Sequence, residues 1–219
     1  MKGICFKEPL FNAIIERRKT QTRRIIDNKN YPFVKDGCFI DKYRDGFAVK
    51  KQIGSNPDRF EVIQAFYPKY KVGEMIYLKE PYIITGNTFE YRFLHKNRTD
   101  INCIEKNGGY KNKLFMPASA ARYFIKITDV RYERLQGISD EDCIQEGIKI
   151  RLIDPAKAFK DIREYDNGYY IFETPEGAFA ALFDKIHGKG TWDSNPFVWV
   201  YDFELIYIEE IQYENKTKE

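Results

Sequence analysis

Short extended runs punctuated by glycine and proline outnumber helical ones along this chain, and no β-α-β rhythm recurs. That pattern predicts an α+β fold, a mixed β-barrel with short helices plugging its ends, in preference to a doubly wound sheet. Tyr123 to Arg134 is the clearest strand, because Phe124, Ile125, Ile127 and Val130 lie among Lys126, Thr128 and Arg131. Lys2 to Phe6 reads as an opening strand. Met75 to Lys79 follows the turn Tyr70-Lys71-Val72-Gly73-Glu74 and is closed by Glu80-Pro81. Tyr82 to Ile84 resumes an extended course, Thr88 to Leu94 looks like another strand, and Phe197 to Ile208 alternates like a last one.

The helices are short. Glu8-Pro9 starts one, since the fixed φ of proline suits a first turn, and Leu10 and Ile14 mark its buried face with Phe11 and Ile15 beside them. It should stop near Arg18, where β-branched Thr20 and Thr22 follow. Pro117 to Arg122 predicts a single helical turn. Ser139, with Asp142 three residues on, resembles a capping box, and Gly147 supplies the stop. Thr174-Pro175-Glu176 opens the last helix, where Phe179, Leu182, Phe183 and Ile186 repeat at helical spacing up to Gly188.

The length of 219 residues with no Pro/Gly/Ser-rich divider predicts one domain carrying insertions at about 28–70, 95–113 and 149–172. A hydrophobic share of 43% suffices for a core. The formal charge of +3 excludes the bulk basicity of a non-specific DNA coat, so any nucleic-acid preference must be local. Cys5, Cys38, Cys103 and Cys143 form no C-x-x-C pair and only His95 and His187 accompany them, so no structural metal and no cofactor is expected. Four reduced thiols, a first segment too briefly apolar for a signal peptide and no bilayer-length apolar run predict a cytoplasmic protein without a membrane partner.

The densest positive cluster is Arg17-Arg18-Lys19-Thr20-Gln21-Thr22-Arg23-Arg24, with five cationic side chains in eight residues. In an extended segment Lys19, Gln21 and Arg23 point one way and Thr20, Thr22 and Arg24 the other, so one face can meet phosphate while the other reads a base. Charge alone describes a solvated basic turn equally well. Near the other end, Phe197, Trp199 and Tyr201 share one face and belong to the core, which leaves Trp192, in a turn, as the aromatic best placed to stack a base. His187, at a helix end, reads as a cap.

RKTQTRR after an apolar helix, YKVGEMIYLKEPY, MPASAARYFIKITDVRYERLQGISDEDCIQEGI and WDSNPFVWVYDFELI together resemble the ASCH family, in its long bacterial and prophage-encoded members, over about half of the chain. The resemblance implies a PUA-like barrel whose cleft, between the barrel and a helix, binds RNA or a modified nucleotide. A smaller ASCH relative, the N(4)-acetylcytidine amidohydrolase, has an R-K-T-x-T-x-R motif that Arg18, Lys19, Thr20, Thr22 and Arg24 match, and an E-Q-E context that Ile144-Gln145-Glu146 matches in part. That similarity implies Lys19, Thr22 and Glu146 as catalytic residues of a hydrolase. Arg18, Thr20, Arg23, Arg24, Glu80 and Trp192 would then bind substrate.

The chemistry is coherent on its own. A threonine hydroxyl needs a base, which a lysine among cationic neighbours supplies, and a carboxyl at a helix end suits a proton donor. The chain departs from the smaller enzyme at Arg17, where relatives often carry glycine, and in its inserted lobes. A third class is a prophage protein-interaction domain whose lobes bind a partner, a reading that an exposed apolar patch on Asn28 to Tyr70 would favour.

Overall fold

The computed structural model of the chain describes residues 1–26, 38–54, 58–85, 88–91, 109–151, 160–165, 168–172 and 174–206. Among these the fold is mixed α+β and mostly strands, with three α-helices and open sheets. The chain divides into two compact units, one of Met1–Thr20, Gly73–Thr128 and Phe203–Glu219, the other of Gln21–Val72 and Asp129–Asp202.

In the first unit β1 (Lys2–Cys5) runs parallel to β6 (Met75–Lys79), which pairs antiparallel with the start of β9 (Phe124–Arg134). Helix α1 (Glu8–Ile15) buries Leu10, Phe11, Ala13 and Ile14, each large side chain worth about 1.5–3 kcal/mol of burial. It ends earlier than the threonines alone predict. Arg17 adopts a left-handed φ of 59°, and the N–H groups of Arg18 and Lys19 both donate to the carbonyl of Ala13, at 2.9 and 3.0 Å, so the chain reverses before reaching Thr20. A hairpin of β7 (Tyr82–Thr85) and β8 (Thr88–Tyr91) packs Tyr82 with Met116 and Ala120, the latter on the predicted turn, which forms over Ala118–Ala120. Most of the predicted 95–113 insertion lies outside the described residues.

The second unit contains β2 (Gln21–Ile25) antiparallel to β13 (Phe197–Ile206), with the latter half of β9 on the other side of β13. The region expected as an inserted lobe forms a meander of β3 (Cys38–Tyr43), β4 (Gly46–Gln52) and β5 (Phe60–Phe66). Phe47 and Phe66 from that meander meet Tyr132 and Trp199 at centroid distances of 4.8–6.0 Å, which uses Trp199 in the core as its alternation predicts. Within the 149–172 region the backbone forms β10 (Ile150–Arg151), β11 (Lys160–Tyr165) and β12 (Gly168–Phe172) as an antiparallel sheet.

Both remaining helices obey their cap signals. Helix α2 (Asp140–Gln145) starts where Ser139 Oγ accepts from the Asp142 N–H at 3.1 Å, and it ends at Glu146 and Gly147, the latter at φ 101°. Helix α3 (Pro175–His187) is capped by Thr174 Oγ1, which accepts from the Gly177 N–H at 3.1 Å, and it buries Phe179, Leu182 and Phe183. No helix among the described residues is long and apolar enough to cross a membrane.

Candidate functional site

The basic segment is not a solvated turn. Lys19 belongs to the first unit and is 2% exposed, and from Gln21 the chain enters β2, where Gln21, Thr22 and Arg23 are 1%, 4% and 3% exposed. Strand pairing explains the burial, since Gln21, Thr22 and Arg23 lie opposite Asp202, Tyr201 and Val200 of β13. In the first unit the Lys19 ammonium stands 5.7 Å from the Phe6 ring centroid.

Arg23 is the hub of an ionic network in the second unit. Its side chain is fully buried; Nη2 donates to Asp142 at 2.7 Å and to Glu133 at 3.0 Å, while Nη1 reaches Glu146 at 3.5 Å and also donates to the Gln21 amide oxygen. Gln21 Nε2 in turn donates to Asp142 at 3.1 Å, Asp202 at 2.7 Å and Gln145 at 3.3 Å. Arg131 completes the network, pairing with Glu133 at 2.6 Å and with Asp202. Burial works to raise the Asp142 carboxyl, but hydrogen bonds from Arg23 and Gln21, with the charge of Arg131 nearby, outweigh it and hold Asp142 below the usual range. The neighbouring Cys143 thiol is pushed up to about 12 by burial, so it is inert packing.

The Glu80 carboxylate belongs to the first unit and is wholly buried, with both oxygens accepting from Arg122, Nε and Nη2 each at 2.7 Å. The Arg122 guanidinium lies 4.4 Å from the Tyr91 ring and 4.8 Å from that of Tyr123. Burial pushes the Glu80 carboxyl up, and the Arg122 pairing offsets this only in part.

The structure therefore joins Arg23 with Glu146 and leaves Lys19 and Glu80 in the other unit from Thr22 and Glu146. Among the remaining predicted binders, Arg18 pairs with Glu16 at 2.6 Å and the Thr20 carbonyl accepts from the Phe203 N–H at 2.8 Å. Arg24 is half-buried opposite Trp199. Trp192 is also half-buried, its ring edge-on to Phe179 at 6.2 Å and its backbone N–H donating to Asp184 at 2.7 Å, just beyond the end of α3.

Sequence reasoning passed over Gln21, Asp142, Arg131, Asp202 and Arg122. The signal for Gln21 and Asp142 was present: an amide within a cationic strand and an acid in the turn of the helix that carries Glu146. Among the described residues no group of three or more His, Cys, Asp or Glu is arranged to hold a metal. In the second unit arginines occupy the space between the carboxylates, which suits ion pairing and not metal ligation. Comparison of the chain with protein-family models, curated proteins and solved structures gives no match.

Proposed function

We propose that the chain is an ASCH-type domain of PUA-like barrel organisation that recognises RNA or a modified nucleoside through the segment 18–24, with Glu146 as a further site residue. One observation carries this reading. The described residues bury six polar or charged side chains, Lys19, Gln21, Thr22, Arg23, Glu80 and Glu146, and the resemblance singles out all of them except Gln21. Burying such groups costs free energy, so a fold that concentrates them in one short segment and two carboxylates holds them for a task. Hydrolysis of an acylated exocyclic amine, with Thr22 as nucleophile, Lys19 as base and Glu146 as proton donor, is the chemistry this residue set offers a nucleoside. The test is a titration of the full chain with single-stranded RNA and with N(4)-acetylcytidine, the second followed by chromatography for cytidine and acetate. Absence of both binding and turnover sinks the proposal.

A second reading, docking of a protein partner on the β3-β4-β5 meander, is favoured by its exposed apolar side chains. Phe39, Phe60, Val62 and Ile63 are 39%, 40%, 40% and 51% exposed, and the rings of Phe39 and Phe60 meet at 5.1 Å on the surface. Replacing Phe60 and Val62 with serine would leave nucleoside binding intact under the first reading and abolish partner capture under the second.

A further inference from the structure

Among the described residues, the pairing of Glu80 with Arg122 leaves one edge of a guanidinium uncommitted. Glu80 takes the Nε and Nη2 side, each contact at 2.7 Å, and Tyr91 and Tyr123 lie 4.4 and 4.8 Å away, so the fork is fixed in position and orientation. Nη1 donates to no described residue, and the Arg122 side chain retains 20% exposure while its partner retains none. A guanidinium clamped along that side presents, on its Nη1–Nη2 edge, two parallel N–H donors.

We infer that Arg122 is a ligand-binding residue whose open edge reads two adjacent hydrogen-bond acceptors on a neutral nucleobase, with Glu80 as the positioning residue that aims it. This rests on the nucleoside reading above for the class of ligand. Neutrality follows from the charge balance: the Glu80 carboxylate cancels the guanidinium charge a few ångströms behind the open edge, so a phosphate gains little from the pair, whereas a base edge gains two aligned hydrogen bonds. Adjacent acceptors occur on the O2/N3 edge of cytosine and the O6/N7 edge of guanine. Uracil offers an N–H at N3 and does not match.

Nitrogen-15 side-chain spectra of the intact wild-type chain test this, with one variant needed only to assign the signal. The Arg122 Nε signal, identified by its loss in Arg122→Lys, should shift saturably with cytidine or guanosine and stay fixed with uridine or inorganic phosphate. Arg122→Lys should then weaken the nucleoside by about fivefold to a hundredfold, the worth of a bidentate contact, and Glu80→Gln should weaken it while leaving the Arg122 signal present. A response to phosphate, an equal response to uridine, or no response to any nucleoside overturns the inference. RNA binding that falls in Arg24→Ala while Arg122 stays silent would defeat this inference alone. A responsive Arg122 with no effect of Arg24→Ala would defeat the reading of the segment instead.

Discussion

Nη2 of Arg23 lies 2.7 Å from a carboxylate oxygen of Asp142, a contact that spans 119 residues of sequence and ties β2 to the helix that ends at Glu146. The same guanidinium reaches Glu133 and Glu146, so an arginine from the segment expected to meet phosphate is engaged by three carboxylates of the protein itself.

Arg23→Ala should therefore act on stability first. Removing one member of a buried ionic group leaves the others uncompensated, at a cost of about 3–5 kcal/mol. Arg23→Lys should recover little, because an ammonium cannot fork between Asp142 and Glu133. Urea unfolding followed by tryptophan fluorescence reads both variants, and a loss under about 1 kcal/mol for Arg23→Ala would show that the network contributes no more than a surface pair.

Acid titration should separate two carboxyls of opposite sense. Asp142 is depressed below its ordinary value of 3.8, so its contribution is present above that value and is lost as pH falls through the lower folded value. Glu80 is raised above its ordinary 4.5, so its contribution is fully present below that value and is lost as pH rises through the higher folded one. Asp142→Asn should flatten the stability profile below 3.8, and Glu80→Gln should flatten it above 4.5. Midpoints of urea unfolding measured across acid pH check both, and an Asp142→Asn profile that parallels wild type below 3.8 would contradict the assignment.

Arg17 occupies the left-handed region at φ 59° where the family it resembles often carries glycine. A non-glycine residue there costs on the order of 1–3 kcal/mol, against about 0.5–1 kcal/mol for the extra flexibility glycine gives the unfolded chain. Arg17→Gly should therefore raise stability by roughly 1 kcal/mol, read as a higher thermal midpoint. A lower midpoint would mean that the contacts of the Arg17 side chain outweigh the strain of its backbone.

Local signals in the sequence located most elements because they act over a few residues. Ser139 with Asp142, Thr174 with Pro175, and the apolar alternation of Tyr123 to Arg134 each specify a cap or a pleat without help from the rest of the chain. The end of α1 was misjudged because the reversal resides in one backbone dihedral at Arg17, which no side-chain pattern marks. Which residues of the ionic network pair with one another was illegible for another reason. Arg23 and Asp142 are each ordinary surface residue types, and only the pairing of distant elements turns them into buried partners.

The hydrolytic proposal makes the most specific demand on individual residues. Thr22, 4% exposed on β2, is a weak nucleophile unless a base takes its proton, so Lys19→Ala should remove most of the turnover of N(4)-acetylcytidine, whereas Thr22→Ser keeps a hydroxyl and should retain a measurable part. Glu146→Gln removes the donor and should lose roughly 100-fold or more, the usual scale for a positioned acid. It also leaves Arg23 its two shorter contacts, to Asp142 at 2.7 Å and Glu133 at 3.0 Å, so this variant should lose less stability than Arg23→Ala and stay folded. That difference makes the experiment decisive: a folded Glu146→Gln protein with wild-type turnover would remove Glu146 from the chemistry. A wild-type chain with no turnover above buffer would leave the segment 18–24 a binding element alone.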